Sequence, residues 1–162
     1  MRNQAHTNVD FDGKPAVPGN YTVSGGLIHS IDPHGNIQVT IQTVYGPGAT
    51  RTSPSEYGRG TTEQDISAGH TGVGFHEGNH GLDYLEFFRN NPPPQFSAQV
   101  DQPEANWATA VQQFGRDFDD YTERAKRFSA QRTECVGKPM PAEIAQQFYG
   151  NAQICANVRG GN

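Results

Sequence analysis

The longest periodic signal in the chain runs from Trp107 to Phe128. Trp107, Val111, Phe114, Phe118, Tyr121, Ala125 and Phe128 recur at alternating steps of four and three. Such spacing places them on one face of a helix, predicted over 104–132, with an apolar stripe turned inward. Asp101 and Glu104 near its start, and Lys126, Arg127 and Arg132 near its end, suit the helix dipole. A period of two governs an earlier segment. Ile37, Val39, Ile41 and Thr43 alternate with Asn36, Gln38, Thr40 and Gln42, which predicts a strand with one wet face. With the β-branched run "YTVSGGLIHSI" before it and the turn residues "DPHG" between, it predicts a β-hairpin over 22–45. Residues 1–20 read as an irregular arm, and "GPGATRTSPSEYGRGTTEQD" as loop with room for one short edge strand. A helix is predicted to start between Asp65 and Gly69, capped by Asp65 or Ser67. It runs to Arg89, where "NNPPP" ends it. The segment "AGHTGVG" is poor helix material and suits an irregular start or the close passage of another backbone. A short helix over 141–149 begins at Pro141, a favourable first position. These elements predict an α+β fold, with a small antiparallel sheet beside two long helices. They form a single domain over 21–162 with no internal repeat.

Composition adjusts this picture modestly. Only 33% of the 162 residues are hydrophobic, and 19 Gly and 11 Pro imply a loop-rich fold. Nine Phe, six Tyr and one Trp still supply large surfaces for a core. The net charge of −5 and the lack of a basic stripe argue against nucleic-acid binding. No apolar run is long enough for a membrane span, and the first twenty residues hold no signal-peptide core. Cys135 and Cys155 are either two free thiols or one disulfide. A bridge would tie down the C-terminal tail, stabilise by roughly 3 kcal/mol and place the working protein outside the reducing cytosol. Two cysteines are too few for a four-cysteine structural zinc site.

The candidate chemistry lies in "FHEGNHGLDYLEFF", Phe75–Phe88. On a helix, His76 and His80 project from one face and can grip a single cation. Glu77 can reach a water on that cation without binding it, the division of labour used in metal-assisted hydrolysis. A random chain of this composition would spell such a motif about once in a hundred sequences. The apolar helical surroundings, rather than a polar loop, strengthen the assignment.

His76-Glu77-Gly78-Asn79-His80 resembles the zincin metallopeptidases. The resemblance implies His76 and His80 as zinc ligands, Glu77 as general base, and a sheet whose edge strand lies along the substrate cleft. The metzincin continuation is missing: Asp83 and Glu86 stand where that pattern has Gly and a third His. Zincins whose third ligand is a glutamate on a separate helix fit better. Size and acid placement also resemble small metallopeptidase toxin domains attached to bacterial secretion machinery.

A catalytic zinc site takes three protein ligands and keeps an open position. Glu104 and Glu123 lie 24 and 43 residues beyond His80. In the toxin-like group the glutamate comes from far along the second helix, which favours Glu123. A helical wheel, however, puts Glu123 nearly opposite the apolar stripe. Asp117, Asp120 and His70 remain alternatives. Asp83, one turn past His80, either orients a ligand histidine or is a solvated acid. Tyr121, Tyr84, Tyr149, His29 and Arg124 are candidate donors to an oxyanion. His34 in "DPHG" reads as a turn residue.

The expectation is therefore a Zn²⁺-dependent peptidase, secreted or extracytoplasmic, acting on a protein or peptide substrate. The resemblance adds a secretion-apparatus carrier or an immunity protein as partners. Two rivals stand beside it: a zinc-dependent cell-wall amidase, and a non-catalytic module in which zinc staples two helices.

Overall fold

A computed structural model of the chain describes residues 5–12, 20–32 and 38–156. Its elements are β1 (Ala5–Asp12), β2 (Asn20–Ser24), β3 (Leu27–Asp32), β4 (Gln38–Tyr45), α1 (Glu63–Ser67), α2 (Val73–Asn90), α3 (Ala105–Thr133) and α4 (Ala142–Tyr149). The class is α+β, as expected, with two two-stranded sheets, β1–β4 and β2–β3.

The strand pairing departs from the sequence reading. The run expected as one strand folds back on itself. β2 pairs antiparallel with β3, Tyr21 opposite Ile31 and Ser24 opposite Leu27. Gly25 and Gly26, at φ 61° and 78°, make the turn. Both values lie in the left-handed region that a two-residue hairpin turn requires and glycine adopts without strain. β4 pairs instead with β1, a strand inside the segment expected to be an irregular arm. The "DPHG" turn and His34 fall largely in 33–37, outside the described residues.

The chain forms two compact units. One comprises Met1–Asn8, Ile41–Asn91 and Arg124–Asn162; the other comprises Val9–Thr40 and Pro92–Glu123. In the second, Phe96 packs edge-on against Trp107 and Phe114 at centroid distances of 5.1 and 5.8 Å. The first has a small core of Tyr57, Ala130, Cys135, Met140, Ala145 and Ile154. Cys135 is disulfide-bonded to Cys155, with Cα atoms 5.0 Å apart. Among the described residues, no helix is long and apolar enough to cross a membrane.

The helices sit close to their predicted places. The helix expected to begin at Asp65–Gly69 is split in two, because the glycine-rich stretch after Ala68 does not continue α1. Asp65 is therefore inside α1 and buried, where it accepts hydrogen bonds from Arg59 Nε, Arg59 Nη2 and the Gly60 amide. α3 buries Trp107, Ala110, Phe114, Phe118, Tyr121 and Ala125, and then two polar residues, Ser129 and Thr133.

Candidate metal centre

α2 begins at Val73 without a capping side chain. Its first amides are met from outside the helix, Val73 N–H by the Ser53 carbonyl at 2.7 Å and Gly74 N–H by the Arg51 carbonyl at 2.8 Å. These bonds satisfy donors that an uncapped helix leaves open. One turn on, α2 buries His76, Glu77, His80, Asp83 and Tyr84 along one face.

The residue that meets the two imidazoles is Glu134, the first residue beyond α3. Its Oε1 lies 3.0 Å from His80 Nε2, and its Oε2 lies 3.3 Å from His76 Nε2. The three donors lie within 4.8 Å of one another, and all three residues are buried. Glu134 is held on both sides. Its amide closes the last turn of α3 on the Ala130 carbonyl, its own carbonyl accepts from Met140 N–H, and the disulfide starts at the next residue.

The hydrogen bonds around this group define its chemistry. His76 Nδ1 lies 3.0 Å from the Arg59 carbonyl, which can only accept, so Nδ1 carries a proton. In a neutral ring that leaves a bare lone pair on Nε2, aimed at a carboxylate oxygen. Glu134 Oε2 is buried and receives no well-directed hydrogen bond, despite the 3.3 Å approach of His76. Two acceptors face each other, and only a proton or a metal ion between them relieves the arrangement. Donors on a tetrahedral zinc, each about 2.0–2.1 Å from the ion, lie about 3.4 Å apart. The separations of 3.0 and 3.3 Å, each to a different oxygen of the Glu134 carboxylate, are near that length. The group could therefore hold a metal ion.

Burial opposes charge on Glu134, but the hydrogen bonds and charges of His76 and His80 outweigh it and hold the carboxyl at about 2. Burial likewise opposes protonation of His76. The Glu134 carboxylate overcomes this, aided by Glu77 and the Arg59 carbonyl, and leaves His76 above its ordinary value.

A surrounding layer of hydrogen bonds holds these side chains in place. His80 Nδ1 is 2.7 Å from Ser129 Oγ, which is 3.5 Å from Asp83 Oδ2. Asp83 also accepts from Thr133 Oγ1 at 2.8 Å and from Arg132 Nε at 2.8 Å. Such outer partners fix ring orientation and raise ligand basicity. Gly58, at φ 64°, lets the backbone pass between His76 and the end of α3. A Cβ there would lie 2.9 Å from His76 Cε1 and would overlap the Thr133 carbonyl oxygen. Tyr149, on α4, donates to Glu134 Oε1 at 3.1 Å. Burial, and then the charge of Glu134, raise its phenol well above the ordinary value, so it stays protonated.

Of the expected ligands, the structure brings His76 and His80 together. Glu123 is not in the group; it is exposed on α3, as the helical wheel implied. Glu104, Asp117 and Asp120 are exposed as well, and His70 stacks on Phe75 at 4.7 Å. Tyr121 is a core residue, while His29 and Arg124 are exposed. Sequence reasoning passed over Glu134, which lies 54 residues beyond His80 and just outside the predicted helix. The available signal was Ser129 and Thr133, polar residues at core-facing positions shortly before it.

Glu77 is 2% exposed, and its Oε2 accepts a 2.7 Å hydrogen bond from Thr7 Oγ1 of β1. An open cavity of about 560 Å³ near the start of α2, lined by Arg51, His70 and Phe75 among others, does not include the His76, Glu77, His80 or Glu134 side chains. Comparison of the chain with protein-family models, with curated proteins and with solved structures returned no match.

Proposed function

We propose that this chain is a zinc-dependent hydrolase of peptide bonds, built on the zincin plan with Glu134 rather than Glu123 as third ligand. The observation that carries the reading is the buried Glu134 Oε2, which has no hydrogen-bond partner and lies 3.3 Å from His76 Nε2, with Glu77 next to His76 in sequence. His76, His80 and Glu134 would hold the ion, a donor set typical of catalytic zinc. Bound zinc supplies a Lewis acid and a water acidified to near neutral pH.

The protein's own residues supply the rest. Glu77 sits close enough for its charge to act on both His76 and Tyr149. It takes the proton of the attacking water and returns it to the leaving nitrogen. Tyr149, kept protonated beside Glu134, is a candidate donor to a developing oxyanion once its hydroxyl turns from Glu134 Oε1. Asp83 and Ser129 hold the His80 ring, and the Arg59 carbonyl holds that of His76.

The disulfide supports a working place outside the reducing cytosol, in keeping with a secreted toxin or effector domain. A protein or peptide is the substrate on this reading, and a carrier or immunity protein its partner. The rival, a metal that only staples helices, draws on one observation: Glu77 and the three ligands are all at most 5% exposed. Glu77→Gln separates the two. On the hydrolase reading the zinc-loaded variant keeps its metal and its melting temperature but loses casein hydrolysis by at least about a hundredfold. Equal turnover by variant and wild type refutes the role of Glu77. Purified peptidoglycan cut in place of casein moves the assignment to the amidase.

A further inference from the structure

The contact between Thr7 and Glu77 is out of place for a general base. A carboxylate that shuttles a proton between water and a leaving nitrogen must face the substrate. Here a 2.7 Å hydrogen bond from Thr7 Oγ1 engages it, and the same hydroxyl lies 3.2 Å from the Glu77 backbone carbonyl and 3.4 Å from Thr43 Oγ1 on β4. Thr7 belongs to β1, and β1 pairs with β4. A strand thus lies beside the candidate base, held by main-chain pairing to β4 and by one side chain to Glu77.

We propose that β1 is an exchangeable, autoinhibitory strand of this chain: it occupies the edge of β4 beside Glu77 and covers the Glu77 carboxylate through Thr7. Strand addition reads the main chain, so it accepts many sequences and takes its selectivity from side chains that reach pockets. β1 holds the place an incoming chain would take, with Thr7 Oγ1 where a substrate polar group would meet Glu77. The structure is then the closed form, and release of β1 opens both the edge and the base. The substrate part of this inference rests on the hydrolase reading; the strand exchange does not.

The test uses the full chain loaded with zinc and a fluorescent peptide of the β1 sequence, AHTNVDFD, added in trans. Thr7→Val keeps the shape and removes the donor. Thr7→Pro also fixes φ and removes a backbone N–H within β1, which weakens the strand. A resident strand present nine times in ten lowers apparent affinity for a competitor about tenfold, and releasing it restores that factor. The peptide should therefore bind the Thr7→Pro protein about tenfold more tightly than wild type, and the Thr7→Val protein in between, with Thr7→Ser unchanged. Equal binding by wild type and both variants, or binding by none, overturns the proposal. If Thr7→Pro loses its helical circular dichroism, Thr7→Val decides by the same comparison. Casein hydrolysis is read in parallel. Where it occurs, Thr7→Val must be faster than wild type, and a slower variant overturns the proposal. If no form cleaves casein while the peptide still binds as stated, the hydrolase reading fails and the strand exchange stands.

Discussion

Replacement of Gly58 by alanine tests how the site is braced. At φ 64° a residue with a side chain is disfavoured by about 1–2 kcal/mol. The new Cβ would also press on the Thr133 carbonyl oxygen and on His76 Cε1, 2.9 Å away. The backbone at 58–59 must shift to relieve this. It is held by two short hydrogen bonds, Gly58 N–H to the Lys138 carbonyl and Arg59 N–H to the Thr133 carbonyl, both 2.7 Å. Weakening each loses about 1 kcal/mol. The sum is about 3–4 kcal/mol, or a fall in Tm of about 10 °C at 2–4 °C per kcal/mol for a domain of this size. Because Arg59 supplies the carbonyl that sets the His76 tautomer, zinc affinity should drop about tenfold or more as well. Gly78→Ala is the control. It sits in α2 beside Glu77 with nothing within 4 Å of its ideal Cβ, and should gain about 0.5–1 kcal/mol. The assay is thermal melting by circular dichroism in chelator, followed by a zinc titration. The reasoning is refuted if Gly58→Ala melts within about 1 °C of wild type and binds zinc equally well.

Two further predictions concern stability. Burial opposes charge on Asp65, but its bonds to Arg59 Nε and Nη2, the Gly60 amide and Thr62 lower its pKa from 3.8 to about 2. A depressed carboxyl contributes stability above its unfolded pKa and loses it as pH falls through the folded value. The gap in urea stability between wild type and Asp65→Asn should thus be about 2 kcal/mol at pH 7 and close by about pH 2; a gap that persists at low pH counts against the assigned cause. Removing the disulfide with Cys135→Ser and Cys155→Ser together opens a loop with a sequence separation of 20, which should lower stability by about 3 kcal/mol. Because Cys135 adjoins Glu134, zinc affinity should fall too, and a double variant with unchanged zinc affinity would show that the bridge does not help to place the ligand.

What was legible in the sequence was local. The Trp107–Phe128 stripe gave α3 to within a residue at each end, since one buried face imposes its period directly on sequence. The spacing of His76 and His80 showed itself for the same reason. Pairing was less legible. The run from Tyr21 to Ile31 has strand composition throughout, and its two central glycines read equally as a weak strand interior or as a turn. β1 carries little periodic signal, and its partner β4 lies across two intervening strands. Glu134 was hidden because its place depends on the segment after α3. The Met140 amide, the disulfide and the Tyr149 hydroxyl converge on that residue, and no helical wheel contains them. Glu123 had an allowed spacing and the wrong face.

The central claim is that His76, His80 and Glu134 together hold one metal ion. The most direct check is zinc per chain by elemental analysis after saturation and dialysis, for wild type, Glu134→Ala and Glu123→Ala. The account predicts about one equivalent in wild type and in Glu123→Ala, and almost none in Glu134→Ala. A full equivalent retained by Glu134→Ala, or none bound by wild type, contradicts it.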